Sequence, residues 1–165
     1  MEIEKKFLIK KYPENLRLYP CVEIEQVYVL TDPVIRARRR DDEYILTIKG
    51  QGMMVREEHE LPLNDEGYYK LLKKAEGNVI SKTRYMIPDD NGYTIELDIF
   101  HDAFDGLVIA EVEFPNVESA EGYTPPEWFL REVTTDRRFH NSNLCSMKKE
   151  EITEMINEVG TVKEV

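Results

Sequence analysis

At 165 residues, with 41% apolar and 33% charged content, the chain can build one hydrophobic core but not two large ones, and its apolar residues fall in short alternating runs that a disordered chain lacks. A formal net charge of −11 excludes a broadly basic surface for nucleic-acid duplexes or membranes, while leaving room for a basic pocket. Cys21 and Cys145 lack metal-type spacing and read as reduced thiols; "MEIEKK" has no basic and apolar leader regions, and no apolar run nears the roughly 20 residues of a membrane span, so a cytoplasmic protein with no membrane partner is expected.

In chain order, strand-period segments are predicted at about 2–10, 22–30, 34–40, 43–49 and 54–62. An amphipathic helix follows at about 65–76, with Tyr68, Leu71, Leu72 and Ala75 on one face, a start at Asn64 or Asp65 and a stop at Gly77. Three more strands are predicted at about 79–88, 93–100 and 107–114, the first two joined by an Asn91-Gly92 hairpin signal. "NVESAEGYTPPEWFLREV" then reads as a short helix, a Pro-Pro break and an aromatic anchor at Trp128 and Phe129. A last helix at about 147–159 carries Ile152, Met155, Ile156 and Val159 before Gly160, and "TVKEV" reads as a frayed tail. The whole of 1–165 is read as one domain. Eight strands with short connections predict a mainly β, antiparallel architecture with a few covering helices: a closed barrel, or a two-sheet sandwich.

Alternate strand positions carry an unusual face. Glu2, Glu4 and Lys6 are answered by Arg36 and Arg38, Lys49, Arg56 with Glu58 and Glu60, Lys82 and Arg84, Glu96 and Asp98, and Glu111 and Glu113. The opposite parity holds Ile3, Phe7, Ile35, Ala37, Leu46, Ile48, Ile95, Leu97, Ile99, Ala110, Val112 and Phe114, which must be covered. The charged face then lies either in water on an open sheet or inside a closed barrel. Paired like charges two residues apart repel without adding stability, which favours a ligand that draws them together. Polyphosphate with a divalent cation fits: Lys and Arg satisfy phosphate oxygens, and hard cations take carboxylates.

The ordered set "EIEKKF", "QVY" (26–28), "RAR" (36–38), "TIK" (47–49), "REEHE" (56–60), "KTRY" (82–85), "ELD" (96–98), "EVEF" (111–114) and "EVTTDRRFHNSNL" (132–144) resembles the CYTH superfamily, the triphosphate tunnel metalloenzymes. The resemblance implies a closed eight-stranded antiparallel barrel around a tunnel, and hydrolysis of a triphosphate, most of all inorganic tripolyphosphate, with two Mg2+ or Mn2+ ions. A class IV-type adenylyl cyclase, a thiamine or nucleoside triphosphatase, and a non-catalytic polyphosphate-binding barrel are the alternatives. It further implies a triphosphate cradle of Lys6, Arg36, Arg38, Lys49, Arg56, Lys82, Arg84 and Arg138. Metal would fall to Glu2, Glu4, Glu96, Asp98, Glu111 and Glu113, and catalysis to Glu58, Glu60, Lys6 and Tyr28, with Tyr28 pairing Lys6 near a tunnel mouth. His59 is expected outside the tunnel, and His101 and His140 in solvent. A monomer or homodimer is expected.

Overall fold

Alternating side chains and short polar connections make this chain a sequence of hairpins. The computed structural model, which describes residues 1–164, begins with β1 (Glu2–Ile9) and continues through β2 (Cys21–Thr31), β3 (Val34–Arg40), β4 (Glu43–Lys49), β5 (Val55–Arg56), β6 (Glu58–Leu63), β7 (Ile80–Pro88), β8 (Thr94–Phe100), β9 (Val108–Glu113) and β10 (Phe129–Glu132). The strands run β10-β1-β9-β8-β7-β2-β3-β4-β6 across the sheet, every pairing is antiparallel, and β5 returns to β1. The result is a nearly closed barrel rather than a sandwich.

Closure happens at Glu57. The strand predicted over 54–62 is divided there: β5 pairs Arg56 with Glu2, and β6 pairs Glu58 with Lys49. Further along, the same edge of β1 is taken by β10, with Phe7 opposite Glu132. This leaves a split between β6 and β1. The segment after β10 crosses it: Val133 N donates to Lys6 O (2.8 Å), and Lys6 N donates to Thr134 Oγ1 (3.1 Å).

Three apolar clusters hold the barrel. Outside it, Ile3, Phe7, Ile95, Leu97, Ala110, Val112 and Phe114 pack beneath Tyr123, Trp128 and Phe129, so the aromatic anchor covers the apolar exterior as predicted. On the opposite flank Val27 and Ala37 pack under Tyr68 of α1 (Asp65–Lys74), whose N-cap Asn64 accepts from Gly67 N at 2.7 Å. The third cluster is inside. Leu8, Tyr28, Val34, Ile80, Phe100 and Ile109 share the parity of the charged residues and fill one end of the bore together with Phe104, Leu107, Phe139, Leu144, Ile152 and Met155. Each fully buried side chain of this size contributes roughly 2 kcal/mol.

That plug is anchored by the C-terminal helices α3 (Asn141–Leu144) and α4 (Lys149–Val159), which follow α2 (Val117–Glu121) in the chain. Gly77 has φ +88°, and a Cβ there would sit 2.1 Å from Cys145 O, so only glycine lets the two backbones meet. Asn78 then donates from N to Cys145 O (2.6 Å) and from Nδ2 to Leu144 O and Met147 O. Helix α4 begins at Lys149, two residues later than predicted, where Glu151 caps Lys148 N at 3.0 Å. The tail is not frayed over its described part: Lys163 exchanges backbone bonds with Lys10 and Tyr12. Val165 lies outside the described residues. No helix of the described residues is long and apolar enough to cross a membrane.

Candidate active site

Above the plug, the inward positions of the strands enclose a cavity of about 540 Å³. Its walls carry seven cations, Lys6, Arg36, Arg38, Arg40, Lys49, Lys82 and Arg84, and seven carboxylates, Glu2, Glu4, Glu58, Glu60, Glu96, Glu111 and Glu113, with Met1, Ile24 and Asn141 between them. Period-two alternation on a sheet curled into a barrel places them there, because every second residue must face the bore.

The two signs are not evenly matched around the wall. Lys6 Nζ contacts Glu111 at 2.6 Å and Glu4 at 3.1 Å. Lys49 Nζ is 2.8 Å from Glu2, and Lys82 Nζ is 2.5 Å from Asp98. Arg84 holds Asp98 through Nε (2.6 Å) and Nη2 (2.7 Å), Glu111 through Nη2 (2.9 Å), and Glu96 through Nη1. Among the described residues Arg36, by contrast, has no carboxylate partner, its guanidinium donating to Thr47 Oγ1 at 3.2 Å beside the Tyr28 hydroxyl, and Arg38 has the partly exposed Glu60 at 3.1 Å. Both Nε atoms, of Arg36 and of Arg38, are buried without an acceptor among the described residues. The β3 wall is therefore the part of the bore short of negative charge.

The proton affinities follow this arrangement. Burial, together with Arg36 and Arg84 nearby, brings Arg38 down to about 10. Burial also brings Lys82 down to about 8 against the pull of Asp98. Burial opposes charge on Lys6 and Glu111 as well, but each holds the other ionised: Lys6 is raised, and Glu111 is held well below the usual carboxylate range by Lys6 and Arg84. Burial pushes Glu58 up to about 7, with Glu2 beside it and Lys49 opposing. Glu113 is raised by burial and by Glu2, Glu96 and Glu4.

Among the described residues, no three acidic or histidine side chains converge into a ready-made ion cage. The donor set nevertheless suits a hard divalent cation. Glu113 has no cationic partner among the described residues and sits among like charges, which such an ion would neutralise. Glu2, Glu4, Glu96 and Glu113 are the carboxylates that could hold it. Glu111 and Asp98 are differently placed: their oxygens are turned to Lys6, Lys82 and Arg84, and Asp98, at 0% exposure, is covered by those cations and does not itself line the cavity.

Other predicted site residues fall outside the cavity. Tyr28 is buried at the closed end, opposite Arg36 in the register, rather than at a mouth; Lys6 and Arg36 both lie close enough to moderate the rise that burial causes in its hydroxyl pKa. Arg56 is tied to Gly52 O (2.9 Å) and donates from Nη2 to His140 Nδ1 (3.2 Å). Arg138 faces outward, bound to Asp136 (2.7 Å) and Glu158 (2.6 Å), because the adjacent Phe139 is the residue the plug buries. His140 is buried rather than solvated: Nε2–H donates to Thr134 O (2.8 Å), leaving Nδ1 to accept from Arg56. His101 is half-buried against Thr83, and His59 is exposed beside Glu57, outside the bore. Arg40 and Asn141 line the bore unpredicted; Arg40 shares the parity of Arg36 and Arg38, a signal present in "RARRR", whereas nothing local marks Asn141.

No protein-family model matches the chain. An inorganic triphosphatase of Nitrosomonas europaea is 36% identical over 147 residues, covering 87% of this chain and 96% of that protein. One of Acetivibrio thermocellus is 36% identical over 148 residues, covering 87% and 92%. The crystal structure of the inorganic triphosphatase NE1496 superposes with a TM-score of 0.68 at 32% identity, over 90% of this chain and 96% of that one. Shared sequence over nearly the full length, on a shared barrel, places the chain in the CYTH family of triphosphate tunnel enzymes, among its inorganic triphosphatases.

Proposed function

We propose that the protein hydrolyses the terminal phosphoanhydride of inorganic tripolyphosphate with Mg2+ or Mn2+, using two ions. The observation that carries this reading is the β3 wall. Arg36 and Arg38 carry buried Nε atoms without an acceptor among the described residues, in a bore where Lys6, Lys49, Lys82 and Arg84 are each paired to carboxylates, and a polyanion supplies what the β3 arginines lack. Bound Mg2+ or Mn2+ would supply neutralisation of phosphoryl oxygens and in-line alignment, and Glu2, Glu4, Glu96 and Glu113 would hold it.

The chain's own groups supply the rest. Arg36, Arg38 and Lys82 bind the phosphate chain; burial lowers Lys82 to about 8, and a neighbouring anion favours its protonated form. Glu58, near 7, accepts the proton of the attacking water, with Glu60 orienting that water. The new bond is water oxygen to terminal phosphorus, and the anhydride bond breaks toward diphosphate, whose developing charge falls to the basic residues of the bore. Tyr28 supports the closed end of the site. The free thiols Cys21 and Cys145 suit a cytoplasmic setting.

A cyclase must grip adenine. Among the described residues no aromatic ring lines the bore, and Met1 and Ile24 are its apolar residues, so the bore offers a base no aromatic platform. The test is to incubate the protein with tripolyphosphate, ATP and thiamine triphosphate, each with Mg2+ or Mn2+, and to assay phosphate and cyclic AMP together. Phosphate from tripolyphosphate in clear excess is the expected result; cyclic AMP from ATP, or no phosphate from tripolyphosphate, would overturn the reading.

A further inference from the structure

Gln26 stands where the charged bore meets its apolar plug. On β2 it follows Ile24, which lines the cavity, and precedes Tyr28, which belongs to the plug; it lies opposite Arg38 on β3 and Ile80 on β7. Its exposure is 0%, and neither Oε1 nor Nε2 has a hydrogen-bond partner among the described residues. Beside it the Nε atoms of Arg38 and Arg36 are orphaned in the same way. Buried polar atoms are almost always paired, so four orphans on neighbouring side chains mark a place arranged for a group not yet present.

The chemistry of that group follows from the orphans. A carbonyl oxygen and guanidinium N–H groups can satisfy one another, while an amide NH2 and the outer guanidinium nitrogens are all donors and need an anion. We propose, on the triphosphatase reading above, that Gln26 is the specificity-determining residue for the deepest phosphoryl group. With the anion seated, its Oε1 turns to accept from Arg38 Nε and squares that guanidinium to the bore, and its Nε2 donates to an oxygen of the phosphoryl group at the closed end. A diphosphate held at the mouth does not reach Gln26; a triphosphate does. Chain length is read as one additional seated phosphoryl group.

The experiment is calorimetric binding of inorganic tripolyphosphate and of pyrophosphate, both with EDTA present, to the wild-type protein and to Gln26→Met, with Gln26→Leu as a second apolar replacement. Loss of an oriented hydrogen bond to a charged group should weaken tripolyphosphate binding by about tenfold and leave pyrophosphate binding within about twofold. Thermal unfolding should show the apolar variants at least as stable as wild type, because two buried unpaired atoms are removed. Unchanged tripolyphosphate binding, an equal loss for both ligands, or a loss accompanied by lowered stability would overturn the assignment. With Mg2+ restored, KM for tripolyphosphate should rise while kcat holds. Because the binding measurement needs no turnover, an inactive wild-type protein would defeat the functional reading while Gln26 would still be judged on binding.

Discussion

Arg84 and Asp98 meet side by side across β7 and β8, Nε to Oδ1 at 2.6 Å and Nη2 to Oδ2 at 2.7 Å, with Asp98 wholly out of solvent. A fork-to-fork pair of this kind fixes the guanidinium plane as well as its charge. Asp98 also takes Lys82 at 2.5 Å, so one buried carboxylate sets the aim of two bore cations.

Asp98→Asn should therefore damage the fold more than its small change in shape suggests. It leaves Lys82 and Arg84 buried with less counter-charge, and breaking a buried ion pair from one side costs about 3 kcal/mol. Urea unfolding at neutral pH measures this directly, and a difference below about 0.5 kcal/mol would show that the pair does not hold the wall.

Turnover should depend on groups from both signs of the bore. Arg38→Ala removes a guanidinium that faces the cavity without a buried counter-ion, and Glu4→Ala removes a mouth carboxylate on the other side. Each should lower kcat/KM for tripolyphosphate by at least about tenfold, the scale of one charge-stabilising contact. Wild-type rates in both would remove those roles.

The charged stripe was legible because alternation is local: Glu2, Glu4 and Lys6 share a face whatever β1 pairs with. Asn64 as a cap and Gly160 as a stop were legible for the same reason. The plug was not. Leu8, Phe100 and Ile109 share the parity of Lys6, Asp98 and Glu111, so only three-dimensional closure shows that this face is polar above and apolar below. β10 is four residues long and takes its place through pairing with β1, more than a hundred residues away in sequence. Arg138 was misplaced because the burial of Phe139 turns it outward, and Gln26 carries no charge to mark it.

Acid should weaken the barrel at its split. Burial lowers the pKa of His140 from its ordinary 6.5, and its neutral ring is needed to accept from Arg56 while donating to Thr134. Between the folded pKa and 6.5 the unfolded chain binds the extra proton, so stability is full above 6.5 and falls as pH drops through that window. The slope from this one group is at most about 1.4 kcal/mol per pH unit. Urea unfolding at pH 7.5 and 5.5, comparing wild type with His140→Gln, should show the larger acid loss in wild type. Equal losses would mean the imidazole does not titrate with folding.

The mouth carboxylates offer a test in which stability and activity move in opposite directions. Partial burial raises the pKa of Glu113, and crowding by Glu2, Glu96 and Glu4 adds to the rise, so its charge opposes folding when no cation is present. Glu113→Gln should raise the melting temperature in EDTA by roughly 1–2 °C, a small gain because the group is largely solvated. Added Mg2+ or Mn2+ should stabilise the wild type increasingly, with the logarithm of its concentration above Kd, and restore turnover lost in EDTA. The variant should gain less from either ion and should hydrolyse tripolyphosphate more slowly at every metal concentration. A carboxylate serving only as a solvated rim would give neither effect: its replacement would leave the metal-dependent shift in melting temperature unchanged, and differential scanning fluorimetry across an Mg2+ titration separates the two cases without relying on catalysis.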